Sequence, residues 1–126
     1  VSDSTAIAAA KAVIERHFAA LNAGDAAALT DTLHFPHYRL AGGRMQVWER
    51  PDGYLEGFHA RAGSGWHHST LDVCDPIGSS ADKVHFDVAF TRYRADGSVL
   101  GRFRSIWVVT HINGRWAAQL RSSFAG

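Results

Sequence analysis

The sequence predicts an α+β fold, with three N-terminal helices laid on one face of a mainly antiparallel sheet of about six strands. Three observations carry this. Near the N-terminus Ala10, Val13, Ile14, His17, Phe18 and Leu21 recur at three- and four-residue steps, the spacing of one buried helical face. Further along, Val84, Phe86, Val88 and Phe90 alternate with His85, Asp87, Ala89 and Thr91, the period of a half-buried strand. Turn residues then punctuate the second half at Gly78-Ser79-Ser80, Ala95-Asp96-Gly97 and Asn113-Gly114.

Residues 1–4 read as a loose end, and the first helix runs from about Ser4 with Lys11, Glu15 and Asn22 turned away from the core. Ala23-Gly24 stops it, and Asp25 caps a second, short helix with Ala26, Leu29 and Leu33 on one face. Pro36 ends the helical region. His37 to Ala41 and Arg44 to Glu49 then form a hairpin about Gly42-Gly43, a pair that tolerates positive φ at both turn positions. Pro51 suits the first position of a third helix and Asp52 its positive end. Tyr54, Leu55, Phe58 and Ala62 supply its apolar face, and Gly63 to Gly65 close it. Four long strands follow: Trp66 to Ile77, Lys83 to Arg94, Val99 to His111, and Arg115 to Phe124. In the last, Trp116, Ala118, Leu120, Ser122 and Phe124 alternate against Ala117, Gln119, Arg121 and Ser123.

Composition limits the function classes. A chain of 126 residues has room for one domain, spanning 1–126, that hides roughly two-thirds of its unfolded surface. Thirteen basic and 12 acidic residues leave a net charge of +1, so neither nucleic acid nor an anionic membrane is indicated as a partner. The single Cys74 excludes an internal disulfide, and no apolar run approaches the ~18 residues of a membrane span. The N-terminus lacks a signal-peptide pattern, and a cytoplasmic protein is expected. No phosphate loop, nucleophile elbow or nucleotide fingerprint is present.

The element order, with particular residues, resembles the nuclear transport factor 2-like superfamily, which includes SnoaL-like cyclases, scytalone dehydratases and ketosteroid isomerases. Ala19-Ala20-Leu21-Asn22-Ala23-Gly24-Asp25 is similar to the helix corner of the ketosteroid isomerases. The tail is similar too, in Asp96-Gly97, Ser105-Ile106-Trp107-Val108-Val109-Thr110 and Asn113-Gly114-Arg115-Trp116. The resemblance implies a cystatin-like cone: a strongly curved sheet whose helices close an internal pocket, and often a homodimer through the outer sheet face. Carried over residue by residue, it puts His17 where those enzymes hold an oxyanion-stabilising tyrosine. Their general-base aspartate would fall at Ala41, and their second, protonated aspartate near Ser105 or Ile106. None of these is an acid, so ketosteroid isomerase activity itself is not supported.

The residues leave several chemical readings. His17 is either a buried histidine paired with a neighbour or a pocket-lining donor or base. If Ala41 faces the cavity, alternation puts Arg39 and His37 on the same side, where His37 would be a general base and Arg39 would hold a carboxylate or enolate oxygen. Against this, Arg39 would snorkel to the rim and His37 merely end the strand. Asp72, with Thr70 and His68 on its strand face, either partners an inward histidine or lines a solvated edge. Eight histidines raise the idea of a metal site, but Pro36 separates His34 from His37, and the adjacent His67 and His68 of a strand face opposite ways. No metal and no other cofactor is expected. Trp48, Phe58, Phe86, Phe90, Phe103 and Trp107 are assigned to the core, and ligand contacts to Trp48, Phe58, His68, Ser105 and Trp107. Arg102, Arg104, His85, Asp87, Gln119, Arg121 and Tyr93 are assigned to a polar outer sheet face. The expected function is binding of a small, mainly apolar molecule with one carbonyl or carboxylate, with cofactor-free lyase, isomerase or cyclase chemistry on His17 and His37. The competing class is a non-catalytic dimerisation or accessory domain.

Overall fold

The N-terminal periodicity closes into helix α1 (Asp3–Ala23), which buries Ala10, Val13, Ile14, His17, Phe18 and Leu21 as its spacing dictates. The computed structural model describes residues 3–125, so residues 1 and 2 of the expected loose end lie outside the described residues, while Asp3 and Ser4 are helical. Asn22 does not simply point to solvent. Its side-chain amide donates to the Ser69 carbonyl and accepts from the Ser69 amide, both at 2.8 Å, clamping the end of α1 to the sheet.

Asp25 caps α2 (Ala26–Asp31) by accepting from the Ala28 amide at 3.0 Å. Leu33 is not on that helix. The helix closes at Thr32, and strand β1 (Leu33–Ala41) begins well before His37. The reason is tertiary: Ala118 donates to the Thr32 carbonyl at 2.8 Å, and Leu33 pairs with Ala118 on the last strand. Phe35–Pro36 is a cis peptide, and the β1 register shifts across it because proline brings no N–H to the ladder.

Gly42 and Gly43, at φ 59 and 73, turn β1 into β2 (Arg44–Trp48) as expected. Helix α3 (Tyr54–Ala62) starts later than Pro51, because Gly53 at φ 75 is left-handed and cannot continue a helix backwards. Pro51 and Asp52 form the turn before it. Strands β3 (His68–Ser79), β4 (Lys83–Tyr93), β5 (Val99–Ile112) and β6 (Arg115–Ser123) complete the chain. The sheet has six strands in the order β2-β1-β6-β5-β4-β3 and is open, with β1–β6 parallel and the other neighbours antiparallel. The core lies between α1 and the inner sheet face, where Val13 and Ile14 meet a layer containing Val84, Phe86, Val88 and Val109. Phe58, Phe86, Phe90 and Trp107 belong to it, whereas Trp48 and Phe103 are only partly buried against it.

One irregularity decides which side chains reach the interior. Across both neighbours of β6 the pairing runs from Ala118 directly to Leu120, so Gln119 is a bulge whose side-chain amide donates to the Pro36 carbonyl at 2.6 Å. The simple alternation expected for this strand therefore inverts. Ala118 and Arg121 are both buried, while Leu120 is turned out at 39% exposure. No described helix is long and apolar enough to cross a membrane.

Candidate functional site

The inverted strand brings Arg121 to a cavity between α1, α3 and the inner faces of β1, β4, β5 and β6. The cavity has a volume of about 30 Å³, room for one or two waters as its side chains stand. Phe18, Leu21, Phe58, Phe90 and Trp107 form its apolar wall, with His17, Ser69, Ser105 and Ser123 between them. The remaining side chains carry most of its chemistry: Arg39, Arg61, Arg92 and Arg121 all line it. No aspartate or glutamate is among the described residues of the lining. The expected mainly apolar pocket is thus revised to an aromatic cavity with a cationic interior.

Each arginine is placed by a different piece of local structure. Arg39 alternates inward on β1, donating through Nη2 to the Ala125 carbonyl at 2.7 Å and through Nη1 to Gln46 Oε1 at 3.3 Å. Arg121 stands beside it on the neighbouring strand and donates to the Tyr54 hydroxyl. Arg92 continues the inward series of Val84, Phe86, Val88 and Phe90, and Arg61 follows Phe58 by one helical turn. Aromatic faces substitute for carboxylates. The Arg92 guanidinium lies 5.0 Å from the Phe103 ring centre and 5.4 Å from that of Phe58. Arg121 lies 5.2 Å from Trp107, and Arg61 5.4 Å from Trp48. The buried Nε atoms of Arg61, Arg92 and Arg121 have no hydrogen-bond partner among the described residues. Burial, then the charge of Arg121, lowers Arg39 and Arg61 to about 10 each. Both therefore remain cations at neutral pH.

His17 has a defined tautomer. Its Nδ1 lies 2.8 Å from Thr32 Oγ1, and the one Thr32 hydroxyl proton goes to the Leu29 carbonyl at 2.6 Å. Nδ1 must therefore donate, which leaves the lone pair on Nε2. Burial foremost, then the charges of Arg121, His37 and Arg61, push its pKa well below the ordinary histidine value. The ring is neutral and presents a hydrogen-bond acceptor at Nε2, held edge-on to Trp107 at 4.9 Å between ring centres.

The structure gathers His17, Arg39, Phe58, Ser105 and Trp107 of the expected site residues around one cavity. Ser105 accepts from the Trp107 indole at 2.9 Å. His37 is not with them. It is fully buried behind the wall, its Nδ1 donating to the Ala118 carbonyl at 3.1 Å, between the rings of Trp48 and Tyr54. Burial first, and Arg121 next, bring His37 down to about 3, and its Nε2 has no hydrogen-bond partner among the described residues. Trp48 also stands behind the lining, under Arg61. His68 stacks on Tyr93 at 4.9 Å, outside the lining residues, and Asp72 accepts from Thr70 and Thr91 rather than from a histidine. Ala41 is not a lining residue either. His34 donates from Nε2 to the carbonyls of Thr110 and Arg115, and no group of three His, Cys, Asp or Glu converges among the described residues.

Arg61, Arg92 and Arg121 were absent from the sequence-based site. Arg92 was legible, since it continues the inward alternation of its strand. Arg121 was assigned to the outer face, and nothing in the sequence marks the bulge at Gln119 that turns it inward.

Neither a protein-family model nor a curated protein matches the chain. Its likeness to solved structures is in fold. An NTF2-like protein of unknown function from Shewanella oneidensis MR-1 superposes with a TM-score of 0.71 at 13% identity, over 89% of this chain and 93% of that one. A protein of unknown function with a cystatin-like fold from Nostoc punctiforme PCC 73102 gives 0.73 at 16%, over 90% and 86%. A ketosteroid isomerase-like protein from Erwinia carotovora atroseptica SCRI1043 gives 0.70 at 17%, over 94% of each chain.

Proposed function

We propose that this chain, which has the NTF2-like fold, binds a small organic anion in its cavity, and that His17 acts on it as an acid–base group without a cofactor. The observation that carries the reading is the convergence of four guanidinium groups on one cavity with no aspartate or glutamate among the described lining residues. Buried cations are ordinarily paired, and a buried donor left unpaired costs about 1–3 kcal/mol. Guanidinium forks match the oxygens of a carboxylate, or of an enolate formed beside one. The aromatic wall takes the apolar body of the same ligand as its side chains move apart, since the cavity of about 30 Å³ is smaller than such a body. A proton removed from carbon next to a carbonyl would go to His17 Nε2, while the arginines stabilise the resulting oxyanion.

The test is a titration with benzoate, a small aromatic carboxylate, followed by the fluorescence of Trp107 and the other tryptophans. A saturable change in the wild type that Arg121→Met abolishes is expected. A linear, non-saturating response identical in both proteins would contradict it. Turnover by the wild type that is lost in a folded His17→Gln variant would separate an enzyme from the second reading, a non-catalytic binding or accessory module.

The outer sheet face supports a homodimer as part of this proposal. Tyr38, Val47, Leu120 and Val108 are register partners across β2, β1, β6 and β5, and Leu40 and Ile106 are exposed at 42% and 47%. An apolar row of that extent favours cover by a second copy. Leu120→Glu is expected to sediment as a monomer where the wild type sediments as a dimer.

A further inference from the structure

The anion reading leaves the ligand's charge open, and the arrangement of the arginines narrows it. Resting on that reading, we infer that the ligand is a dianion, with one negative group at the Arg39–Arg121 side and the other at Arg92. Arg39 and Arg121 are register partners on adjacent parallel strands, so two like charges project side by side into the same space. Their hydrogen bonds go to neutral oxygens, of Ala125 and Gln46 for Arg39 and of Tyr54 for Arg121. One carboxylate accepts from two guanidiniums there and uses the free Nε–H of Arg121.

Arg92 belongs to a different wall. It stands on β4, with β5 between it and β6, and its guanidinium is enclosed by Phe58, Phe90 and Phe103. It is 6% exposed, has no hydrogen bond from Nε among the described residues, and faces the same cavity. A monoanion held at Arg39 and Arg121 leaves this buried cation uncompensated. A second negative group satisfies it, and the ligand body then crosses the floor made by Trp107 of β5. Two carboxylates on a planar skeleton provide this, whereas a phosphate monoester carries both charges on one group and does not. The ligand class is a flat dicarboxylate.

Calorimetric titration at fixed ionic strength compares benzoate, the three phthalate isomers and phenyl phosphate at pH 7.5. At least one phthalate isomer is expected to bind ten-fold or more tightly than benzoate, with Arg92→Met reducing that ratio to about one. Phenyl phosphate binding more tightly than every phthalate isomer overturns the two-group arrangement, because both of its charges sit on one group. Arg92→Lys serves if the methionine variant does not fold, and is expected to retain part of the ratio. Benzoate binding as tightly as every dianion overturns the inference and leaves the anion site standing. Failure of all five compounds to bind overturns both.

Discussion

Acid should weaken this fold through buried histidines whose protonated form is disfavoured where they stand. His37 has a pKa of about 3 in the folded chain, against an ordinary value of 6.5. Between these values the unfolded chain binds a proton that the folded chain refuses. Stability is therefore complete above about pH 6.5 and is lost as pH falls toward 3. At pH 5 the difference is ~1.5 units, and at ~1.4 kcal/mol per unit His37 alone removes about 2 kcal/mol. His17 is depressed in the same direction by burial and by Arg121, and it adds to the loss. Against a total of about 5–15 kcal/mol this is a large effect. Urea unfolding followed by tryptophan fluorescence reads it as a midpoint about 1 M lower at pH 5 than at pH 7. His37→Leu gives up the bond to the Ala118 carbonyl and should be less stable at pH 7 by about 1 kcal/mol. Its disadvantage should shrink or reverse by pH 5, because it has no proton to refuse. A wild-type midpoint that does not move between pH 7 and pH 5 would refute the reasoning. So would an equal shift in the variant.

Three further outcomes follow from packing and hydrogen bonding. Phe86→Ala empties a fully buried site under α1 and is expected to destabilise by about 3–5 kcal/mol in urea unfolding, with benzoate affinity in the surviving folded protein little changed. Asn22→Ala removes both bonds to Ser69 and should cost about 1–2 kcal/mol, with faster amide exchange at Ser69. Gly101→Ala would place a Cβ 2.6 Å from the tip of the Phe103 ring, which must move. Because that ring carries the Arg92 guanidinium, the dianion preference should fall several-fold while the melting temperature changes little.

Local signals were sufficient for most of the architecture. The α1 face, the Asp25 cap, the two-glycine hairpin and the alternation of β4 each arise within a few residues, and the long strands formed where the pattern put them. Apart from the start of α3, the departures come from longer range. Leu33 fits a helical face, but pairing with β6 draws it into a strand. Gly53, not Pro51, sets the start of α3. In the cavity, His17 comes from the resemblance to the isomerase helix corner and Arg39 from alternation with Ala41, while Arg92 belongs to a regular inward series. Arg121 could not be placed by periodicity, since a single unpaired residue inverts every side chain after it. His37 shares the inward side of β1 with Arg39, but the rings of Trp48 and Tyr54 stand against it, which alternation alone does not reveal.

The most direct test of the central claim is anomalous diffraction from crystals soaked in bromide, an anion small enough to enter without rearrangement. The account predicts an anomalous peak inside the cavity, within hydrogen-bonding reach of the Nε–H of Arg92 or Arg121. Bromide found only on the outer surface, with no peak inside the cavity, would contradict it.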